Sequence, residues 1–448
     1  MKYIVITFDG IGLPIAQKLK EEGNEVKVAQ IQNVFELGNK DKPEEPKQKK
    51  KRLSLYDGIL KKMTMPEMLS FMRGINKDEW FVIFDFNNLW KYSEQVLKMG
   101  FKQGFFPTKK DFEFEQDRKQ GKEMVKKHYK LDLGEVQEFK KAQDGIKAIQ
   151  ESEDTFVLKA YDQSGHTVCP VDKVDELARR KLVRTLEKNP KEYESQGFIL
   201  EKKIKDPVEM TPEAHFYNGK MIMMTVDIES KPKNAGDEGE QTGCAQNLII
   251  KIEESSPLAK LAFPPIVYEM AKKHTGLFVW DASILFKDKP YFGEFCANRW
   301  GYDSIFTELA MCGSVSSYFE SLVEGNNPLK YKYGVAVRGF NDDTKDGHYL
   351  EEEIMEWMEE TDKDTWIYDL KQKDKELINT GYWEIDLVVF TGAGNTMEEA
   401  LNKTHKAKDN FSFPNITGRP KFDFLSLDYP TSIGNRFNYY KKHYETST

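Results

Sequence analysis

Residues 2–32 read KYIVITFDGIGLPIAQKLKEEGNEVKVAQIQ, and this stretch decides the class of the fold. The apolar run 2–7 predicts a buried strand, and the turn around Gly10 and Gly12 leads into a stretch with the amphipathic pattern of a helix. Residues 24–32 predict a second strand. A strand, a helix and a strand in this order are typical of a doubly wound parallel sheet, so we predict an α/β protein.

The α/β pattern continues along the chain, with a change of character after about residue 110. The apolar run 80–84 predicts a further buried strand. Residues 111–129 and 135–150 are rich in charge and predict helices, whereas 155–161 predicts a strand. Residues 278–295 contain two apolar runs separated by a short polar turn, which is the pattern of a β-hairpin.

These changes of pattern divide the chain into three predicted domains. A doubly wound domain covers 1–108, a portion built of helices and sheet covers 109–330, and a small α/β domain covers 331–448. Two polar segments interrupt the pattern. Residues 39–52 carry seven Lys or Arg residues and predict a solvated loop, and 231–243 hold three glycines and predict a polar loop.

Charge and composition exclude several classes of protein. The chain of 448 residues has a net charge of −8, so it lacks the positive field that would hold nucleic acid or an anionic membrane. No apolar run approaches the ~20 residues of a membrane-spanning helix, and the N-terminus lacks the features of a signal peptide. The four cysteines form no CxxC pair and the seven histidines form no HExxH or HxH cluster, so neither a disulfide framework nor a histidine metal site is expected. We therefore expect a cytoplasmic protein without nucleic-acid or membrane partners.

Ionisable residues interrupt or end several apolar runs, where burial is costly unless another charge pairs with them. Lys159 lies inside FVLKAY, Glu201 ends GFIL, Asp281 follows FVW, and Glu294 lies in YFGEF. Asp281 and Glu294 can face each other across a hairpin as hard oxygen ligands for Mg²⁺. Lys159 and Arg118 offer positive charge to phosphates. Each residue alone is also consistent with a structural salt bridge, but together they predict a magnesium–nucleotide site that lacks a GxxxxGK[ST] loop.

In this order and spacing the chain resembles the ATP-grasp family of carboxylate–amine ligases, and among them the phosphoribosylamine–glycine ligases. The resemblance covers nearly the whole chain and implies a doubly wound N-terminal domain, a two-sheet ATP-grasp domain and a small α/β closing domain. Its most specific segments are FEQDRKQGKEMVKKH (114–128), FVLKAYDQSGHTV (156–168), FILEKKIKDPVEMT (198–211) and WDASILFKDKPYFGEFCANRWGYDS (280–304).

The resemblance implies an ATP-dependent ligase of purine nucleotide biosynthesis that joins an amino acid to an amine through an acyl phosphate. It implies ATP and Mg²⁺ or Mn²⁺ as cofactors, small-molecule substrates that include nucleotide precursors, and a monomer or homodimer. Loops around 164–166 and 236–243 are the expected lids. The residues it assigns to the nucleotide are Arg118, Lys159, Ser164, Gly165, Glu201, Ile204 and Glu209; to the metal, Asp281, Glu294 and Asn298; and to the transferred phosphoryl group, Lys159 and Arg299.

Three segments depart from the family's pattern and leave three functions open. The first loop, FDGIGLPIA, has no basic residue where the family carries an Arg-Glu-His run, and Asp85-Phe86-Asn87 replaces Gly-Pro-Glu. In the metal motif, either Cys296 takes the Asn position or Asn298 is that residue, displaced by two positions. The functions are a phosphoribosylamine–glycine ligase-like activity, a ligase retargeted to another amine or modified nucleotide, and an inactive nucleotide-binding or scaffolding module. The retained charged residues favour an active ligase.

Overall fold

The computed structural model of the protein describes residues 1–33, 37, 44–161, 167–170, 174–341, 364–374, 376–383, 386–411 and 416–445. The chain forms two compact units. Unit 1 comprises Met1–Phe112, Met210–Asp281 and Ala297–Thr448, and unit 2 comprises Glu113–Glu209 and Ala282–Cys296. The division into three domains expected from the sequence stays a prediction.

Strands and helices alternate through the first half of the chain. In unit 1 they are β1 (Lys2–Thr7), α1 (Gly12–Glu21), β2 (Glu25–Gln30), α2 (Pro46–Ser54), β3 (Lys62–Met63), α3 (Met65–Arg73), β4 (Trp80–Phe84), α4 (Trp90–Lys98) and β5 (Gly104–Phe105). From the junction into unit 2 they are α5 (Lys109–Gln116), α6 (Arg118–His128), β6 (Val136–Phe139), α7 (Ala142–Glu151), β7 (Phe156–Ala160), α8 (Asp175–Lys188), α9 (Pro190–Glu194) and β8 (Phe198–Lys202).

Longer strands dominate the second half. The chain continues with β9 (Val208–Tyr217), β10 (Lys220–Asn234), β11 (Glu238–Ile252), α10 (Pro257–Ala262), α11 (Pro265–Ala271), β12 (Leu277–Phe286), β13 (Pro290–Ala297), α12 (Tyr302–Cys312) and α13 (Val315–Glu324). The last elements are β14 (Tyr333–Asn341), β15 (Thr365–Ile367), β16 (Lys371–Lys373), β17 (Glu376–Ile378), β18 (Asp386–Gly394), α14 (Met397–Asn410), β19 (Ile416–Thr417), α15 (Lys421–Phe424) and α16 (Ile433–His443).

The opening of unit 1 is a parallel sheet with the strand order β5-β4-β1-β2-β3. β1 pairs in parallel with both β2 and β4, so that Val5 has Val28 on one side and Ile83 on the other. β1 and β4 are apolar and almost completely buried, as strands of a parallel sheet covered by helices must be. The doubly wound arrangement predicted from residues 2–32 is confirmed, and so is the strand predicted at 80–84.

The same sheet continues into antiparallel strands, in the order β15-β18-β14-β11-β10-β9-β12, and β12 joins the parallel part at β5. β12 also pairs with β13, which confirms the hairpin predicted for 278–295. The aromatic and aliphatic residues that cover this sheet include Trp300, Phe306 and Phe319, all buried. The stacked rings of Phe306 and Trp366, with centroids 4.7 Å apart, join α12 to β15.

The polar loop predicted for 231–243 is wrong, because β10 and β11 form one long hairpin through this segment. Its tip is held by Arg419, whose guanidinium donates to the carbonyl of Pro232 at 3.1 Å and pairs with Asp237 at 2.8 Å. Strand pairing and this ion pair hold the segment in an extended hairpin, although much of it remains exposed to solvent.

Unit 2 is built on an antiparallel sheet with the order β6-β8-β7. The prediction of one helix over 135–150 is wrong in its first part, since β6 occupies Val136–Phe139 and α7 begins only at Ala142. Pairing with β8 satisfies the backbone groups of this short segment. The strand predicted at 155–161 is confirmed as β7.

The solvated loop predicted for 39–52 is also wrong over the part that the structure describes. Residues 46–54 form α2, with Pro46 at the first helical position, where its missing N–H costs nothing. Arg52 at the end of this basic run is fully buried. Its guanidinium donates to the carbonyl of Ile31 at 2.7 Å and pairs with Glu44 at 2.8 Å. Residues 39–43 lie outside the described residues.

We expect Arg52→Ala to lower the free energy of unfolding by about 3 kcal/mol, because it removes the partner of Glu44 and leaves buried carbonyl groups without a donor. Lys50→Ala, an exposed residue of the same helix, is the matched control and should change stability by less than about 0.5 kcal/mol. Urea unfolding followed by circular dichroism measures both. Equal midpoints for the two variants would contradict the structural role of Arg52.

Candidate functional site

The sheet of unit 2 has one apolar face and a second face, which we call the polar face, that carries charged side chains beside Val157 and Ile199. Side chains alternate along β7 and β8, so Phe156, Leu158, Phe198 and Leu200 point to one side and pack against α7 and α8. The residues between them point to the other side. Because Lys159 pairs with Ile199 and Val157 pairs with Glu201, the side chains of Lys159 and Glu201 share this second face.

Two lysines hold the carboxylate of Glu201 on this polar face. Lys159 Nζ lies 2.6 Å from Glu201 Oε2, and Lys122 Nζ lies 2.6 Å from Glu201 Oε1. All three side chains keep between 13% and 20% of their surface exposed, so they are screened from bulk water but reachable by a ligand. We refer to Arg118, Lys122, Lys159 and Glu201 as the Glu201 cluster.

Arg118 completes this cluster from the first turn of α6. Its Nε donates to the carbonyl of Ala160 at 3.1 Å, next to Lys159, and its Nη2 donates to the hydroxyl of Thr167 at 2.9 Å. Arg118 and Lys122 are four residues apart on α6 and therefore share a helix face. The cluster therefore gathers three cations, two of them paired with Glu201 and the third close to Lys122.

The pKa shifts in the cluster show how closely its charges are packed. Burial raises the pKa of Glu201, but the attraction of Lys159 and Lys122 outweighs it, and the net pKa is lowered. Burial lowers the pKa of Lys122, and Lys159 and Arg118 lower it further, while Glu201 acts in the opposite direction. An anion that arrives at this face would be stabilised by charges that repel one another without it.

Sequence reasoning named Arg118, Lys159 and Glu201 and missed Lys122. The structure brings the three named residues together, although their assignment to ATP stays a prediction. Lys122 was hidden in the run KEMVKK, where nothing in the spacing separates it from its exposed neighbours. Its position four residues after Arg118 was the available signal.

The remaining residues assigned to the nucleotide lie elsewhere in unit 2 or outside the described residues. Ile204 is half-buried just after β8, and Glu209 lies on β9, where its Oε1 accepts a hydrogen bond from Ser283 at 2.9 Å. Ser164 and Gly165 lie outside the described residues.

The residues assigned to the metal occupy both strands of the β12–β13 hairpin and its exit. Asp281 is half-buried on β12 and Glu294 is exposed on β13. Asn298, by contrast, is fully buried in unit 1. Its carboxamide oxygen accepts from the amide of Val279 at 3.1 Å, and its nitrogen donates to Asp111 at 3.1 Å. These hydrogen bonds use both the oxygen and the nitrogen of the carboxamide, and they hold the exit of the hairpin in place.

Arg299 lies where the chain leaves this hairpin, beside the end of β4. The centre of its guanidinium is 5.3 Å from the centroid of the Phe86 ring, and Asn87 Nδ2 donates to the carbonyl of Ala297 at 2.9 Å. The segment Asp85-Phe86-Asn87, which departs from the family's pattern, therefore contacts the segment that carries the predicted phosphate-stabilising arginine.

A carboxylate occupies the N-terminus of α1 at the edge of the parallel sheet. Asp85 at the end of β4 is buried, and its Oδ2 accepts the amide hydrogen of Gly12 at 2.8 Å. A Cβ atom on Gly12 would approach Asp85 Cβ to 3.3 Å and Val5 Cγ1 to 2.8 Å, so this close approach depends on glycine. Burial raises the pKa of Asp85 to about 7, although its hydrogen bonds with Thr7 and the Gly12 amide act in the opposite direction.

No protein-family model matches this sequence, and no curated protein matches it by sequence similarity. The fold, however, is similar to those of several solved structures. A phosphoribosylamine–glycine ligase from Thermotoga maritima matches it with a TM-score of 0.64 over 94% of this chain and 99% of its own, at 15% identity.

Two carboxylase structures share the fold. The biotin carboxylase domain of 2-oxoglutarate carboxylase from Hydrogenobacter thermophilus matches with a TM-score of 0.57 over 100% of this chain and 99% of its own, at 12% identity. A biotin carboxylase from Campylobacter jejuni has the same TM-score over 99% of each chain, at 13% identity. At these identities the likeness establishes the fold, and it confirms the fold class predicted from the sequence. Among the described residues, no helix is both long enough and apolar enough to cross a membrane.

The raised pKa of Asp85 makes stability depend on pH in a defined direction. Between pH 4 and 7 the folded chain holds a proton on Asp85 that the unfolded chain releases near the ordinary pKa of 3.8, so rising pH removes stability through this group. The Asp85→Asn variant lacks this titration. The free energy of unfolding of the variant minus that of the parent should therefore increase by up to about 4 kcal/mol from pH 4 to pH 8.

Urea unfolding at a series of pH values measures this difference. Asp78→Asn, at an exposed position near β4, is the control and should follow the parent within about 0.5 kcal/mol. An Asp85→Asn curve that runs parallel to that of the parent would show that Asp85 is not a buried, titrating cap.

Proposed function

We propose that the protein is a magnesium- and ATP-dependent ligase that activates a carboxylate as an acyl phosphate and transfers the acyl group to an amine. The observation that carries this proposal is the Glu201 cluster, where Lys122 and Lys159 pair with one carboxylate and Arg118 adds a third positive charge near Lys122. Cations gathered in this way fit a ligand with several negative charges, and a triphosphate is such a ligand. The fold, shared with a phosphoribosylamine–glycine ligase and two biotin carboxylases, supports the same reading.

In the proposed reaction a substrate carboxylate attacks the γ-phosphorus of ATP, ADP leaves, and an amine then displaces phosphate from the acyl phosphate. Phosphoryl transfer depends on positioning and on stabilising charge, which is what fixed cations supply. We assign Lys159 and Lys122 to the phosphate chain and Arg299 to the transferred group. Glu201 acts as a positioning residue, because it holds both ammonium groups on one face of the sheet.

Asp281 and Glu294 on the hairpin are residues of the type that binds magnesium. Asp281 and Glu294 offer carboxylate oxygens that water can reach, which are the ligands Mg²⁺ prefers. We propose them as the protein ligands and leave out Asn298, whose carboxamide already makes three hydrogen bonds inside unit 1. When bound, the metal would neutralise charge on the phosphate oxygens. Ser164 and Gly165 remain proposed phosphate contacts, Ile204 an adenine contact and Glu209 a ribose contact.

The N-terminus of α1 favours a ligase retargeted to an amine other than phosphoribosylamine. A helix N-terminus at the end of a parallel strand is the usual place for a phosphate in doubly wound folds. Here the Gly12 amide already donates to Asp85, and Asp9 adds a second carboxylate in the same turn, held by the Tyr382 hydroxyl at 2.8 Å. Above its raised pKa of about 7 Asp85 is ionised, and together with Asp9 it would then repel a phosphate and attract an ammonium group. We therefore favour an acceptor amine that carries no phosphate at this position.

We expect Lys122→Met to weaken the binding of Mg·ATP by 10- to 100-fold, because it removes a charged contact to phosphate. Lys127→Met removes the same charge from an exposed position of α6 and should leave the affinity unchanged within about twofold. Isothermal titration with Mg·ATP measures both. Equal affinities for the two variants would contradict the assignment of the phosphates to the Glu201 cluster.

Turnover separates the open functions. Magnesium-dependent phosphate release from ATP is measured with glycine and phosphoribosylamine, and with a panel of amino acids and unphosphorylated amines. We expect release with an unphosphorylated amine and little with phosphoribosylamine. Turnover confined to phosphoribosylamine and glycine would reverse that preference, and binding of ATP without turnover by any pair would leave the inactive nucleotide-binding module.

A further inference from the structure

A buried group of ionisable side chains lies in unit 1 and takes no part in the proposed reaction. Glu213 and His215 lie two residues apart on β9, so their side chains point to the same side of the strand. Glu308 lies on α12. Their exposed fractions are 7%, 0% and 1%. Such groups are rare in an apolar core unless a partner compensates the cost of burial.

Hydrogen bonds orient two of these side chains from the outside. The hydroxyl of Tyr318 lies 2.8 Å from His215 Nδ1, and the hydroxyl of Thr225 donates to Glu308 Oε1 at 2.9 Å. Outer partners of this kind fix the ring orientation and the carboxylate plane of metal ligands in proteins. The other polar atoms of these two side chains, His215 Nε2 and Glu308 Oε2, face each other.

The facing atoms converge. His215 Nε2 is 2.5 Å from Glu213 Oε1 and 3.3 Å from Glu308 Oε2, and one potential ligand atom from each residue lies within 4.8 Å of the other two. Glu308 Oε2 is buried, and none of the described residues gives it a hydrogen bond of normal geometry. A buried carboxylate oxygen that faces an imidazole nitrogen and a second carboxylate offers three atoms of the types that bind a metal ion.

Charge supports the same conclusion. No lysine or arginine of the described part of the chain forms an ion pair with Glu213, Glu308 or the nearby Asp227, while His215 is the only basic group that the ion pairs place beside the two glutamates. A divalent cation would balance the charges of two glutamates with a neutral histidine.

We propose that Glu213, His215 and Glu308 bind one zinc ion, which ties β9 to α12. One imidazole nitrogen and two carboxylate oxygens suit Zn²⁺, whose bonds to both atom types are ~2.0–2.2 Å long, better than Mg²⁺, which prefers oxygen ligands alone. The site lies within unit 1 and is separate from the magnesium ligands proposed above.

The test uses the full chain with Cys169→Ser, which removes an exposed thiol that could also bind zinc. After dialysis against a chelator, isothermal titration and elemental analysis should show one zinc per chain, with a rise in melting temperature. Glu308→Gln keeps the shape of the side chain and an oxygen for Thr225, and His215→Gln removes the ring. Each should weaken zinc binding at least tenfold.

The controls locate the ion. His405→Gln removes another buried histidine, on α14, and should leave zinc binding unchanged. Glu294→Gln should also leave it unchanged, so a failure of the magnesium proposal and a failure of this one are distinguishable. Absence of zinc binding by the parent, equal affinity in Glu308→Gln, or loss of binding in Glu294→Gln would each overturn the proposal, and a proton shared between the two glutamates would then account for the group.

Discussion

The two ion pairs from Glu201 to Lys159 and Lys122 fix the pattern of charge on the polar face of unit 2. They place two ammonium groups on the polar face of the β6-β8-β7 sheet, where partial burial strengthens the electrostatic interactions between charges. The carboxylate offsets only part of the positive charge, and Arg118 adds to it. Because β7, β8 and α6 each contribute one side of this arrangement, the charge pattern depends on the pairing register of the sheet and on the helix position together.

The architecture explains why the opposite face of this sheet is apolar. Phe156, Leu158, Phe198 and Leu200 bury one side against α7 and α8, which fixes the side chains between them toward the polar side. A shift of one residue in the register of β7 would send Lys159 into the core and expose its apolar neighbours. The same pairing register therefore both buries the apolar core and sets the positions of the charged side chains.

Much of the fold could be predicted from the sequence, because local patterns carried it. The apolar strands at 2–7 and 80–84, the turn at Gly12 and the hairpin at 278–295 follow from hydrophobic period and turn residues. The wrong predictions concern segments whose structure depends on contacts with distant parts of the chain. Arg52 is buried because carbonyl groups and Glu44 pair with its guanidinium. Val136–Phe139 forms a strand because it pairs with β8. No local pattern contains those partners.

The candidate site was partly predictable for a related reason. Lys159 and Glu201 stand out because they interrupt or end apolar runs, whereas Lys122 lies among other lysines, and only the folded helix shows which one faces Glu201. The capping of α1 by Asp85 joins residues 73 positions apart and could not be seen from spacing. The Glu213, His215 and Glu308 group likewise assembles from a strand and a distant helix.

The most direct test of the account compares the affinities of the chain for adenosine, AMP, ADP and ATP at one fixed magnesium concentration, by isothermal titration. If the Glu201 cluster binds a phosphate chain, affinity should rise with each added phosphate, and adenosine should bind most weakly. Equal affinity for adenosine and ATP, or no binding of any of the four, would contradict the account.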